Sequence, residues 1–224
     1  MATPPTKPAK TRLNRAETAR VESLFRRFES EGDDPRTELN YSSPYTLVTA
    51  VALSAQATDV QVNKATIKLF AVADTPAAML ALGEDGLIPL ISSIGLFRTK
   101  AKNVLAAAKI IIEQHDGEVP LTRAALQALP GVGRKTASVV LNELRIEPAI
   151  AVDTHVFRVA HRLRLAQGKT PDHVEGELMA AVPAWALVRA HHWLILHGRY
   201  VCVARKPKCE DCVVADMCPS RGVG

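Results

Sequence analysis

The residues best suited to metal chemistry are four cysteines near the end of the chain. Cys202, Cys209, Cys212 and Cys218 are spaced C-x6-C-x2-C-x5-C, and the rest of the 224 residues contain no other cysteine. Four thiolates in one short segment can hold a zinc ion or an iron–sulfur cluster. Structural zinc more often uses two paired C-x2-C knuckles, and this segment has one. The spacing therefore favours iron–sulfur, with zinc as the alternative.

Three cations lie between the first two of these cysteines: Arg205, Lys206 and Lys208. A cluster would hold this cationic loop rigid against an acidic surface, where its charges could neutralise phosphates. The alternative interpretation is a solvated run of charge on a purely structural knuckle.

A second candidate site is the glycine-rich stretch Leu129–Thr136, which reads LPGVGRKT between two apolar helical segments. Gly131 and Gly133 permit close backbone approach, and the helix that follows directs free N–H groups outward, a geometry that can bind phosphate. Arg134 and Lys135 stand in its first turn, where the helix dipole disfavours each cation by ~0.3–1 kcal/mol. We therefore expect an anionic ligand; the alternative is a glycine turn with two solvated basic side chains.

Lys135 could also act as an amine nucleophile, because a lysine at a helix N-terminus in a groove can have a lowered pKa. It would need a carboxylate partner. A helix from Lys135 to Arg145 climbs about 15 Å, and extended residues from Pro148 to Asp153 can return roughly as far. Asp153 is thus expected beside Lys135. Its alternative role, compatible with the first, is to cap a helix starting at Thr154.

The composition favours a folded protein with polyanionic partners. The formal net charge is +5, the sequence pI is about 9.1, and hydrophobic residues make up 47%. The N-terminus lacks the apolar region of a secretory signal, and no apolar run approaches the roughly 18 residues of a membrane span. We expect a cytoplasmic protein, associated with the nucleoid if its source is bacterial.

The local signals predict an all-α fold of roughly ten helices. Asn14 is a predicted N-cap with Glu17 at the third position, and the pairs Ser43-Pro44, Thr75-Pro76 and Thr170-Pro171 have the same capping character. Helix ends are predicted at Gly32, Gly83 and Gly117, and Glu147-Pro148 is expected to break the helix that starts near Arg134.

Two further segments are predicted as buried helices. Residues 47–53 and 104–112 are apolar on nearly every face, as expected of helices wholly inside a bundle. Residues 1–13, which are rich in proline and basic residues, are predicted to be a disordered tail. The histidines His155, His191 and His192 are interpreted as packing or surface residues rather than metal ligands.

Together these motifs resemble endonuclease III, the helix-hairpin-helix DNA glycosylase and abasic-site lyase family with a [4Fe-4S] cluster. The likeness covers about residues 14–219. Five segments carry it: LPGVGRKTA from Leu129, VDTH from Val152, the cysteine tail, LSAQATD from Leu53 and SIGL from Ser93. The last two resemble the family's segments that enter the DNA minor groove.

The resemblance implies two helical domains with a DNA-binding cleft between them. Residues 37–147 would form a six-helix domain with the hairpin, and residues 14–36 with 148–224 a cluster domain. Lys135 would be the nucleophile and Asp153 its activator, while Gln56 fills the gap left by the flipped nucleotide and Leu96 wedges the opposite strand. The four cysteines would hold the [4Fe-4S] cluster.

The implied activity is removal of oxidised pyrimidines from duplex DNA in base excision repair, followed by strand cleavage. The substrates would be double-stranded DNA with damaged pyrimidines or abasic sites, acted on by a monomer. Two alternatives remain at this point: a noncatalytic DNA-binding protein that uses its cluster as a redox sensor, and a zinc-stapled DNA module.

Overall fold

The computed structural model describes residues 14–32 and 34–223, which form ten α-helices, two short 3₁₀ turns and no strand. The helices are α1 (Arg15–Ser30), α2 (Pro44–Leu53), α3 (Asp59–Phe70), α4 (Pro76–Ile91), α5 (Phe97–His115), α6 (Arg123–Ala128), α7 (Arg134–Glu143), α8 (Thr154–Arg162), α9 (Pro171–Ala181) and α10 (Leu187–Tyr200). The predicted all-α fold is confirmed. The predicted tail at residues 1–13 lies outside the described residues.

Side-chain caps fix most helix starts. Asn14 accepts a hydrogen bond from the Glu17 amide at 2.9 Å, and Ser43, Thr75 and Thr170 cap α2, α4 and α9 as predicted. Each cap oxygen satisfies one amide that the helix itself leaves unpaired.

The predicted helix ends are confirmed with one correction. Gly83 interrupts α4 with a φ of 65°, and α1 and α5 end just before Gly32 and Gly117. The end of α7, however, precedes Glu147-Pro148. Arg145 is left-handed with a φ of 57°, and the Ile146 amide donates to the Leu141 carbonyl at 2.9 Å, which is a Schellman cap.

The chain folds as two compact units. The hairpin unit, Thr37–Pro148, contains α2 to α7, and the cluster unit comprises the described residues before and after it. In the hairpin unit α2 is buried along nearly its whole length, as predicted. The prediction that residues 104–112 are buried on all faces is wrong, since α5 is one-sided and Ile112 is 36% exposed. None of the helices in the described ranges is both long and apolar enough to span a membrane.

The core of the cluster unit joins α1 to the C-terminal helices. Phe25 and Phe28 pack with Trp193, and the rings of Phe28 and His197 meet at 5.1 Å. Two arginines of α1 hold the cysteine segment: Arg20 donates to the Met217 carbonyl at 3.2 Å and Arg27 to the Val213 carbonyl at 2.8 Å. The first helix is thereby joined to the last residues of the chain.

Helices α8 and α10 of the cluster unit approach closely at Gly198. A Cβ at this position would lie 2.9 Å from the His155 Cβ and 3.1 Å from the His155 carbonyl oxygen. Gly198 therefore sets the distance between α10 and the start of α8.

Gly198→Ala should destabilise the protein by up to about 2 kcal/mol, because the overpacking cost of ~1–3 kcal/mol is offset by only ~1 kcal/mol from the higher helix propensity of alanine. Urea unfolding measures this difference. Gly32→Ala is the control, since a Cβ there meets nothing within 4 Å. Equal stability of the two variants would contradict the close approach of α8 and α10.

Candidate functional site

The glycine-rich stretch forms a tight turn between α6 and α7. Leu129 and Val132 are buried at 2% and 4% exposure, and the Val132 amide donates to the Leu129 carbonyl at 3.0 Å. These apolar side chains fix the turn to the core of the hairpin unit, while Gly131 between them and the residues after Val132 lie at the surface.

The two glycines of this turn have different reasons to be glycine. Gly131 has a φ of 79°, and a Cβ there would lie 3.0 Å from the Asn103 Cβ. Gly133 is extended, with a φ of −81°, and a Cβ would meet nothing within 4 Å. Gly131 therefore needs to be glycine for its backbone conformation and its packing, whereas the missing side chain of Gly133 leaves the start of α7 open to close approach.

The start of α7 differs from most helix starts in the described residues. Seven helices have a side-chain cap, whereas α5, α7 and α10 have none. In its first turn, α7 carries no acidic residue and presents exposed Arg134 and Lys135. An uncapped helix start with two cations suits an anionic ligand.

Asp153 caps α8, as the alternative interpretation held. Its Oδ1 accepts hydrogen bonds from the His155 and Val156 amides, both at 2.8 Å. Because both amides donate to Oδ1, the cap does not use Oδ2. The cap fixes the orientation of the carboxylate, which is half-buried. Lys135 lies in the hairpin unit and Asp153 in the cluster unit, and their pairing stays a prediction.

Gln56 and Leu96 lie in neighbouring turns of the hairpin unit. Both are non-glycine residues with positive φ, 56° and 59°, and both are exposed. A Cβ on Gly95 would lie 3.9 Å from the Gln56 carbonyl oxygen, so the turns are adjacent. Left-handed backbone at such residues costs about 1–3 kcal/mol and is concentrated at functional sites. Leu96 also exposes 61% of an apolar side chain.

The four cysteines of the cluster unit line one pocket and form no disulfide. Cys202 follows α10, Cys209 begins the 3₁₀ turn Cys209–Asp211, Cys212 follows that turn, and Cys218 follows the turn Ala215–Met217. These turns direct the four thiols to a common space. Among the described residues no group of three or more His, Cys, Asp or Glu forms a site for a single metal ion.

The surroundings of the thiols fit an iron–sulfur cluster. Burial, reinforced by the other cysteines, raises the pKa of Cys212 and of Cys218, so a cationic group is needed to hold them as thiolates. His197 Nε2 lies 3.6 Å from the Cys212 sulfur, and burial lowers the pKa of this histidine to about 4. The neighbour of Cys212 is therefore a neutral imidazole.

Two arginines of α8 were missed by the sequence reasoning. Arg158 donates to the Cys202 carbonyl at 3.0 Å and to the Gly198 carbonyl at 2.7 Å, and Arg162 reaches three carbonyls of the same segment. The sequence contained a signal for them, because His155, Arg158 and Arg162 are spaced at i, i+3 and i+7 and therefore lie on one face of α8.

The cationic loop between the first two cysteines is at the surface. Arg205, Lys206 and Lys208 are exposed, and Lys206 has a positive φ of 53°. The Lys208 amide donates to the Val201 carbonyl at 3.0 Å and closes the base of the loop.

The buried pair His191 and His192 of α10 packs edge to face, with ring centroids 5.0 Å apart.

Two family models match the chain. Residues 49–184 match the HhH-GPD superfamily of base excision DNA repair proteins, and residues 202–218 match the iron–sulfur binding domain of endonuclease III. The second match covers all four cysteines and confirms the predicted iron–sulfur cofactor over zinc.

Similar proteins agree with these models. Endonuclease III of Escherichia coli strain K12 is 57% identical over 87% of this chain and 92% of its own length, and that of Haemophilus influenzae is 55% identical over 90% and 95%. A solved trapped endonuclease III–DNA covalent intermediate matches at a TM-score of 0.83 and 39% identity, covering 90% of this chain and 95% of that one.

Asp153→Ala should destabilise the protein by about 1 kcal/mol, because two amides at the start of α8 lose their acceptor. Asp153→Asn should cost only a few tenths, since an asparagine oxygen caps comparably well. Thermal unfolding at neutral pH measures both. Equal destabilisation by alanine and asparagine would contradict the capping role.

Proposed function

Because this chain belongs to the endonuclease III family of base excision DNA repair enzymes, we propose that it is a bifunctional DNA glycosylase and abasic-site lyase. Its substrates would be oxidised pyrimidines and abasic sites in duplex DNA. The observation that carries this proposal is Lys135, an exposed primary amine at the uncapped start of α7, directly after the glycine hairpin.

Lys135 provides the nucleophile that defines this chemistry. Its Nζ, once deprotonated, attacks C1′ of the damaged nucleotide, and the bond from C1′ to the base breaks with its electron pair leaving on the base. An amine attached to C1′ can then open the sugar as a Schiff base, which a hydroxyl or water nucleophile cannot form. Lysine at this position therefore predicts strand cleavage as well as base removal.

Asp153 would support the attack electrostatically. The cap fixes Oδ1, while Oδ2 is not needed for capping and can accept a proton or stabilise the cationic sugar. A carboxylate whose orientation is fixed in the ground state requires little reorganisation as positive charge develops. Structural and catalytic roles of Asp153 are thus compatible.

Strand cleavage follows from the Schiff base by β-elimination. The cationic imine acidifies the C2′ hydrogen, a base removes this proton, and the bond to the 3′ phosphate breaks with its electrons on the phosphate oxygen. The products are an unsaturated sugar still attached through its imine and a free 5′ phosphate. Water then hydrolyses the imine and releases the Lys135 amine.

The hairpin unit offers features that suit damaged DNA. The open start of α7 behind Gly133 suits a backbone phosphate. Gln56 and Leu96, which lie in adjacent turns with left-handed backbone, would fill the base stack of the DNA after the damaged nucleotide rotates out of it. Rotation costs a few kcal/mol, less for damaged bases, so residues fixed beforehand at the vacated position reduce the remaining cost.

The cluster unit would add affinity through its cationic loop. Arg205, Lys206 and Lys208 are exposed at a loop whose base is closed by a backbone hydrogen bond. Cys202, Cys209, Cys212 and Cys218 would hold the [4Fe-4S] cluster, which when bound supplies a rigid cross-link among them. The loop would then present its cations in one arrangement to phosphates.

The solved relatives support the proposed substrate class. One matching structure is described as a trapped covalent intermediate between endonuclease III and DNA, and another as a non-covalent complex of endonuclease III with DNA. A covalent intermediate in a relative that is 39% identical agrees with an amine nucleophile in this chain.

Borohydride should trap a covalent adduct between the protein and DNA containing an abasic site or an oxidised pyrimidine, because it reduces the Schiff base. Lys135→Ala and Lys135→Arg should both abolish the adduct, and arginine retains the charge needed for binding. Denaturing gel electrophoresis detects the adduct. Lys64→Ala, which removes an exposed lysine of α3, is the control.

Asp153→Asn should retain DNA binding and lower single-turnover base removal by roughly 10²–10⁴-fold, as expected for loss of a general acid–base group.

In the trapping experiment, an adduct formed by Lys135→Ala would reject this lysine as the nucleophile. A protein that binds abasic DNA and yields no adduct would instead be a noncatalytic DNA-binding protein.

Replacing Arg205, Lys206 and Lys208 together by glutamine should reduce the dependence of DNA affinity on salt. The slope of log K against log salt is negative, and each lost phosphate contact reduces its magnitude by about 0.9. Fluorescence anisotropy at several salt concentrations measures the slope. An unchanged slope means that this loop does not contact DNA.

A further inference from the structure

Arg162, at the end of α8, contacts the first cysteine of the cluster segment through both backbone and sulfur. Its Nη1 lies 2.7 Å from the Val203 carbonyl oxygen and 3.4 Å from the Cys202 sulfur, and its Nη2 donates to the Ala204 carbonyl at 3.0 Å. Nη1 also lies 3.4 Å from the Cys202 carbonyl oxygen. One planar guanidinium thus spans three consecutive residues and a thiol.

This contact differs from those of the neighbouring arginines. Arg158 donates to the Cys202 carbonyl, and Arg20 donates to the carbonyls of Leu163 and Met217. These contacts with the cysteine segment and its surroundings are made to backbone oxygens. Arg162 also directs a charged N–H group at a sulfur. Hydrogen bonds to ligand sulfurs are among the factors that set the reduction potential of an iron–sulfur cluster.

We propose that Arg162 is a positioning and tuning residue of the iron–sulfur centre. It holds the Cys202 sulfur in position as a cluster ligand, and it raises the one-electron reduction potential of the bound cluster. Reduction adds negative charge to the cluster and its thiolates, and a cation at the sulfur stabilises that form more than the oxidised form. The inference depends on the cofactor and not on the proposed DNA chemistry.

The same side chain fixes the start of the cationic loop. The carbonyls of Val203 and Ala204 precede Arg205 directly, and both accept from Arg162. Arginine suits this task because its rigid fork can donate several hydrogen bonds at once, which a lysine ammonium on a flexible stem does less well.

The test compares the purified holoprotein with Arg162→Gln, Arg162→Lys and Arg164→Gln. Arg164 is exposed and two residues further along, so Arg164→Gln removes the same charge away from the sulfur contact. Redox titration followed by the iron–sulfur absorbance gives the potential. The rate of iron release to a chelator, with iron and sulfide content, gives cluster retention.

Arg162→Gln should shift the potential to a more negative value and accelerate iron release by about 10-fold or more, because losing a partner of a metal ligand typically lowers metal affinity by about 10–100-fold. Arg162→Lys should retain most of the potential and lose part of the retention. Arg164→Gln should resemble the unmodified protein in both measurements.

A potential in Arg162→Gln that equals that of the unmodified protein or of Arg164→Gln overturns the proposal, whatever the rate of iron release, because a merely structural arginine affects retention alone. If Arg162→Gln does not fold with its cluster, Arg162→Lys decides. The proposal is also overturned if Arg162→Lys releases iron at the same rate as the unmodified protein and has the same reduction potential. Neither readout depends on whether Lys135 forms an adduct with DNA.

Discussion

The cap that Asp153 places on α8 is the interaction on which the candidate chemistry of the cluster unit depends. Two amides hold one carboxylate oxygen at 2.8 Å, so the orientation of the other oxygen follows from the helix. Nine residues later the same helix ends at Arg162, which contacts the cysteine segment. One short rigid element therefore positions both the candidate acid–base group and the first cysteine of the iron–sulfur centre.

The candidate DNA-contacting residues lie where local folding rules are broken. Of the six non-glycine residues with positive φ in the described ranges, Asp116, Arg145 and Arg164 end helices, where this conformation is ordinary. The other three, Gln56, Leu96 and Lys206, belong to the segments expected to contact DNA. The helices α5 and α7, which begin beside such segments, also lack side-chain caps, as does α10 elsewhere. Departures of this kind are expected at functional sites, which are selected for a ligand and not for the folded chain alone.

Local sequence signals were sufficient for the caps at Asn14, Ser43, Thr75 and Thr170 and for the family itself, because each depends on residues close in sequence or on a specific motif. Contacts between distant residues were not predictable. Arg158 and Cys202 are 44 residues apart, and the approach of Gly198 to His155 depends on how two helices pack. Apolar composition misled at α5, since alanines tolerate an exposed face as readily as a buried one.

Seven cations of the cluster unit form two groups, and the contrast shows why net charge alone is a poor guide to a DNA-contacting surface. Arg20, Arg158 and Arg162 direct their guanidinium groups to carbonyls and a thiol, and Arg27 also pairs with Asp216. Their charge is used within the fold. Arg205, Lys206 and Lys208 extend into solvent, where a cation can attract a polyanion. In the proposed complex with DNA, the first group would support the second, because a loop fixed at its base and at its first cysteine loses less conformational entropy when its cations bind phosphates.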